Sequence, residues 1–137
     1  MQNPPPAQPG KSSTGLDENL ASLLAYVFGW VSGLVFFLIE KDSRLVRFHG
    51  MQSILLNVIL VIVAVVLGIG LSILLFILGQ ISGALSTIVG LVSSLFWLAF
   101  SVIILVVWVL CLIKAYQGQM YKLPIIGKYA EQFSAPK

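Results

Sequence analysis

Hydrophobic and polar positions divide this chain into a few long blocks. Residues 20–39 form an apolar block of 20 residues without a charge, and a short polar connector, 40–49, follows it. Sixty-four consecutive residues, Gly50 to Ile113, then contain no Asp, Glu, Lys or Arg. A helix that faces water needs a polar face, and this run offers only Gln52, Asn57, Gln80 and scattered Ser and Thr. Its natural solvent is lipid.

The first block predicts one helix of about 30 Å, a single crossing of the hydrocarbon. Asp17 and Glu18 at its start suit a helix N-terminus. Taken as one helix, the longer run would measure about 96 Å, three times the hydrocarbon thickness. Three spans would leave nothing for turns, so it divides into two. The only strong turn cluster is Gly79–Thr87, which places spans at about 51–78 and 88–115. Gly118 suits the stop after the last of them. The apolar runs are continuous and do not alternate, which disfavours a β-barrel. The expected architecture is an all-α integral membrane protein. It has a disordered Pro-rich tail over 1–15, a membrane domain over 16–116 with three transmembrane helices (20–39, 51–78 and 88–115), and a short interfacial C-terminal segment over 117–137. Gly29-Trp-Val-Ser-Gly33 inside the first block could instead mark a kink or break, because glycine is flexible.

Composition agrees with this pattern. The chain is 58% hydrophobic and 9% charged, with a mean hydropathy of +1.01, whereas soluble domains carry about 25% charged residues. The net charge of +3 sits at the edges of the apolar segments, which reads as topology and excludes a nucleic-acid-binding surface. With three spans, Lys11 lies on one side, and Lys41, Arg44, Arg47, Lys114, Lys122 and Lys128 lie on the other. The positive-inside rule then puts the C-terminus in the cytoplasm and the N-terminus outside. The first block is too long for a signal-peptide core and ends in Glu40-Lys41-Asp42, so it reads as a retained anchor. Pro6-Ala-Gln-Pro9 matches PxxP and reads as solvated tail.

Candidate chemistry is sparse. There is one His and one Cys, so no enzyme, cofactor or metal centre is expected. Cys111 reads as a small apolar residue. No ionisable residue lies within a span to mark a transport path. Small residues recur at helical spacing, Ala25-Gly29-Gly33 in the first span and Ala64-Gly68-Ser72 in the second, as helix-packing faces do. The connector holds Arg44, Arg47, Phe48 and His49, followed by Gln52. These read as an interfacial motif for anionic lipid headgroups or a partner, with Asp42 or Ser43 capping the next helix. About 20 residues counted back from Leu78 put the bilayer boundary near Val58 and Asn57 in the headgroup layer. The tail alternates apolar and basic residues around Tyr121, Lys122, Lys128, Tyr129 and Phe133, as a segment lying on the membrane surface does.

Two motifs stand out together: Ile39-Glu-Lys-Asp42 with Val46-Arg-Phe-His-Gly-Met-Gln52, and Ala115-Tyr-Gln-Gly118 with Tyr121-Lys-Leu-Pro124. Over about residues 17–130 the chain resembles a family of small prokaryotic membrane proteins of unknown function grouped with the chloroplast import component called Tic-twenty. In that family the residue after the His is usually Ala; here it is Gly50. The resemblance implies an integral protein of a prokaryotic plasma (inner) membrane and, through the chloroplast relatives, a link to protein import. The expected function is a non-enzymatic membrane component that packs with itself (a homo-oligomer) or with partner membrane proteins. The alternative is a protein-translocation or channel subunit.

Overall fold

The computed structural model describes residues 10–134, so Pro6–Pro9 and Lys137 lie outside the described residues. The fold is all-helical: α1 (Glu18–Val27), α2 (Trp30–Ile39), α3 (Arg44–Ile81), α4 (Gly83–Tyr116) and α5 (Ile126–Ser134). Two units result. Unit 1 holds the described residues up to Asn57 and from Leu110 onward, and unit 2 is Val58–Val109.

The first apolar block is not one span. It breaks at Gly29, whose φ of 63° and ψ of −136° are disfavoured for any side-chain-bearing residue. The chain reverses there. At the open end, Ser13 N–H donates to the Glu40 carboxylate at 3.0 Å and the Ser43 hydroxyl donates to Glu18 Oε2 at 2.8 Å. A continuous helix would hold those ends about 30 Å apart. α1 and α2 are therefore a hairpin of two ten-residue helices, each about 15 Å long. This corrects the single span over 20–39. It also corrects the placement of the N-terminal segment and the 40–49 connector on opposite sides, because the two are hydrogen-bonded to each other. Residues 10–15, expected within a disordered tail, form a turn in which Ser12 N–H donates to Leu16 O.

α3 starts at Arg44, seven residues before the expected 51, because Ser43 caps it: its Oγ accepts from Val46 N–H at 3.3 Å. Among the described residues, α3 and α4 are the two helices long and apolar enough to cross a membrane. The turn between them is Ser82 alone, shorter than the expected Gly79–Thr87 cluster. Ser86 Oγ donates across it to Leu75 O at 3.0 Å. The apolar drive of the flanking residues carries both helices through the glycines and serines. α4 ends in a Schellman motif: Gly118 N–H reaches Ala115 O, Gln119 N–H reaches Lys114 O, both at 3.0 Å, and Gly118 has φ 74°.

Unit 1 is packed. Ala21, Ser22, Ala25 and Tyr26 of α1 are buried, with Ser32 and Gly33 of α2. α3 buries Leu45, Val46, Phe48, His49, Gly50, Gln52, Ser53 and Leu56, and α4 buries Cys111 and Ala115. Unit 2 exposes most of its large apolar side chains, among them Val66, Phe76, Leu91 and Leu95, each above 60% accessible. That pattern suits lipid.

Candidate functional site

The polar residues of the connector and of the start of α3 gather inside unit 1. His49 and Gln52 are three residues apart and so share a helix face. Both are wholly buried. His49 Nε2 lies 2.8 Å from Gln119 O, and Nδ1 lies 2.7 Å from the Tyr26 hydroxyl. A carbonyl only accepts, so Nε2 carries the proton; in the neutral ring Nδ1 then accepts from Tyr26. Gln52 Nε2 donates to the Tyr26 hydroxyl and to Tyr121 O, both at 2.9 Å. Gln52 Oε1 accepts from Leu123 N–H at 3.2 Å. Two side chains on α3 thus hold the backbone of residues 119–123 in place. The two sequence motifs are each other's partners.

Arg44 and Arg47 share a face but differ in role. Arg44 is exposed and pairs with Glu131 at 3.4 Å. Arg47 donates through one terminal nitrogen to Phe37 O at 3.1 Å and Glu40 O at 2.7 Å, and through Nε to Ser134 O at 3.4 Å. Those carbonyls lie at the C-terminal ends of α2 and α5, where a cation is favourable. Its guanidinium also sits 4.5 Å from the Phe37 ring centre. Phe48 is wholly buried and meets His49 edge-on. Of the five residues read as an interfacial motif, Phe48, His49 and Gln52 are inside the unit and Arg44 alone is fully exposed.

Glu40 is buried and accepts from Ser13 N–H and Oγ, Asp42 N–H and Ser43 N–H. Burial alone would raise its pKa, but those hydrogen bonds outweigh it and hold the carboxyl below its ordinary value. Glu131, exposed beside Lys122 and Arg44, is likewise lowered, first by its hydrogen bond to Lys122. Sequence reasoning assigned Glu40 only the end of a helix. Its burial comes from contacts 27 residues away, which no local pattern reveals.

The small residues divide. Gly33 and Gly50 form a close backbone crossing of α2 and α3: a Cβ on Gly33 would meet Gly50 O at 2.9 Å, and one on Gly50 would meet Gly33 O at 2.8 Å. Ala25 is buried, and Gly29 makes the turn. In unit 2, a Cβ on Gly68 would meet nothing within 4 Å, and Ser72 Oγ turns back to Gly68 O. Ala64 and Ser72 are half-buried and exposed respectively. Cys111 is buried beside Tyr26.

Residues 16–130 match a family described as the magnetosome magnetite crystal formation protein family, MamF/MmsF. The chain belongs to that family. The match runs from just before α1 into α5 and so takes in the hairpin, the connector and the segment pinned by His49 and Gln52. The chain is also similar to a UPF0132 membrane protein of Methanocaldococcus jannaschii, 38% identical over 125 residues, which are 91% of this chain and 96% of the relative. A UPF0132 membrane protein of Archaeoglobus fulgidus is 37% identical over 117 residues, 85% of this chain and 95% of the relative. No solved structure matches the chain. The relatives are membrane proteins of unknown function, and this chain is a membrane protein of the same kind. The grouping with the chloroplast import component rests on the motif resemblance alone.

Proposed function

We propose that this protein is a non-enzymatic, multi-pass membrane component that works by assembling with itself or with membrane partners. The observation that carries the reading is the contrast between its two units. The polar side chains of unit 1 are engaged in holding its own backbone: His49, Gln52, Arg47 and Glu40 all bind main-chain atoms. Unit 2 instead presents unpartnered apolar helix faces. These include open positions at Gly68, Gly70 and Gly90 and a groove of about 360 Å³ lined by residues such as Val66, Leu74, Phe96 and Trp97. Open glycines let helices approach closely in lipid.

In this reading α3 and α4 span the membrane and the charged end of unit 1 lies at the cytoplasmic face. Lys11, Lys41, Arg44, Lys122 and Lys128 are exposed there and suit anionic headgroups. A translocation role of the kind the motif resemblance implies would need Arg44, Arg47 or His49 to face a passing chain, and only Arg44, paired with Glu131, is exposed. Arg47 is engaged with carbonyls and His49 is buried, so two of the three are committed to the fold. The family description concerns magnetite formation. A membrane-assembly role is compatible with such a setting and needs no metal contact by this chain.

The test is purification in mild detergent with measurement of the mass of the complex. Gly68→Leu and Gly90→Leu fill open space and leave unit 1 untouched. They should shift the protein from an assembled to a single-chain mass, or strip co-purifying partners. An unchanged mass and unchanged partners in both variants would refute the proposal.

A further inference from the structure

The α1–α2 hairpin has the hydrogen bonding of a segment built to sit without water. Turns are ordinarily solvated, and non-helical backbone survives in hydrocarbon only where protein groups satisfy it. At this turn, Phe28 N–H donates to Ser32 Oγ at 3.1 Å, and Gly29 N–H donates to Tyr26 O at 3.1 Å. Gly29 O accepts from Ser53 Oγ at 2.9 Å, from Gly33 N–H at 3.2 Å and from Ser32 Oγ at 3.3 Å. One exposed carbonyl would not need three donors in water.

The side chains point the same way. Facing inward, α2 presents Gly33 to α3 and buries Ser32 against the turn. Facing outward are Val31, Leu34, Val35, Leu38 and Ile39, with Phe28 and Trp30 at the tip, 76% and 53% accessible. Helix–helix contacts in lipid favour small residues; these outward residues are all large, which fits acyl chains and not a second helix. No charge interrupts 20–39, while Glu18, Lys41, Asp42 and Arg44 gather at the open end. Each helix of the hairpin is about 15 Å long, half of a hydrocarbon core of about 30 Å.

We infer that α1–α2 is a re-entrant hairpin that enters and leaves the same leaflet, with the acyl chains of that leaflet as the partner of its outer face. The inference also sets the register of α3. Asn57 packs against Gly29, its Oδ1 3.3 Å from where a Cβ would stand. Asn57 therefore lies inside the hydrocarbon beside the hairpin tip, not in the headgroup layer.

The experiment uses the full chain, with Cys111→Ala, in vesicles of phosphatidylcholine and phosphatidylglycerol. A nitroxide is placed on Phe28→Cys and, separately, on Leu38→Cys. Val65→Cys in unit 2 serves as the hydrocarbon reference and Lys128→Cys as the aqueous one. Both Phe28 and Leu38 are exposed, so neither substitution opens the core. At position 28 the ratio of oxygen to nickel-complex accessibility should match that at 65 and exceed that at 128 severalfold, with 38 shallower than 28. A ratio at 28 equal to that at 128 would overturn the inference, since the tip would then be in water. Low accessibility to both reagents with spin–spin broadening would also overturn it, since a second copy would then cover the face. Assembly through unit 2 is measured separately by detergent mass, so the two readings fail independently.

Discussion

Single residues in unit 1 act mainly on backbone, and Glu40 shows what that implies for stability. Its carboxylate accepts from three main-chain N–H groups and one hydroxyl and ties residues 10–16 to the connector. The folded state lowers its pKa below the ordinary value of 4.5. The sign follows from linkage: the unfolded chain takes up the proton first, so the stabilisation is complete above about 4.5 and fades as pH falls through the lower folded value. Amide exchange at Ser13, Asp42 and Ser43 should therefore accelerate as pH drops below that range, after correction for intrinsic rates. Glu40→Gln should exchange faster already at neutral pH and show little further pH dependence. An unchanged exchange rate across that range in the parent chain would contradict the assignment. Gly50 makes a related point: the family resemblance carries Ala there, but a Cβ at this position would meet Gly33 O at 2.8 Å, so glycine lets α2 and α3 touch.

Among the elements, the segment after α4 depends on α3 more than on itself. Residues 119–123 are not helical, and three of their backbone groups are met by His49 and Gln52. Gln52→Leu removes the partners of Tyr121 O and Leu123 N–H in a buried place, which costs about 1–3 kcal/mol. The expected result is a lower thermal midpoint in detergent, with exchange protection lost at 121–123 while α4 above Leu110 stays protected. A loss spread evenly over the chain would argue against this pinning. The sequence pattern made α3 and α4 legible, because continuous apolar runs and the Gly118 stop are local signals. The break at Gly29 was visible only as an open choice, since 20–39 carries no charge to mark it and part of what holds the turn is Ser53 on another helix. The burial of His49 and Gln52 was not legible: their partners lie about 70 residues away, and a short basic connector next to a span looks interfacial by composition alone.

For the whole molecule, the hairpin in place of one helix brings residues 10–16 to the same end as the 40–49 connector. All seven Lys and Arg among the described residues fall in unit 1, and Val58–Val109 has none. Lys11 was the lone basic residue on the outer side under three spans. Hydrogen bonds from residues 10–16 to Glu40 bring it to the same end as Lys41 and Arg44. The charge bias is thereby stronger with two spans than with three. α3 and α4 are 38 and 34 residues long, about 57 and 51 Å, so each is long enough to cross a core of about 30 Å with length left for tilt and for protruding ends. Reporters of membrane side fused at positions 15, 83 and 137 separate the arrangements. Two spans with a re-entrant hairpin predict inside, outside and inside. Three spans predict outside, outside and inside, so position 15 decides. An outside signal there would require α1 and α2 to part into a single crossing. That crossing would break the Ser43–Glu18 hydrogen bond and take both Ser13 donors from the Glu40 carboxylate, leaving it only the N–H groups of Asp42 and Ser43.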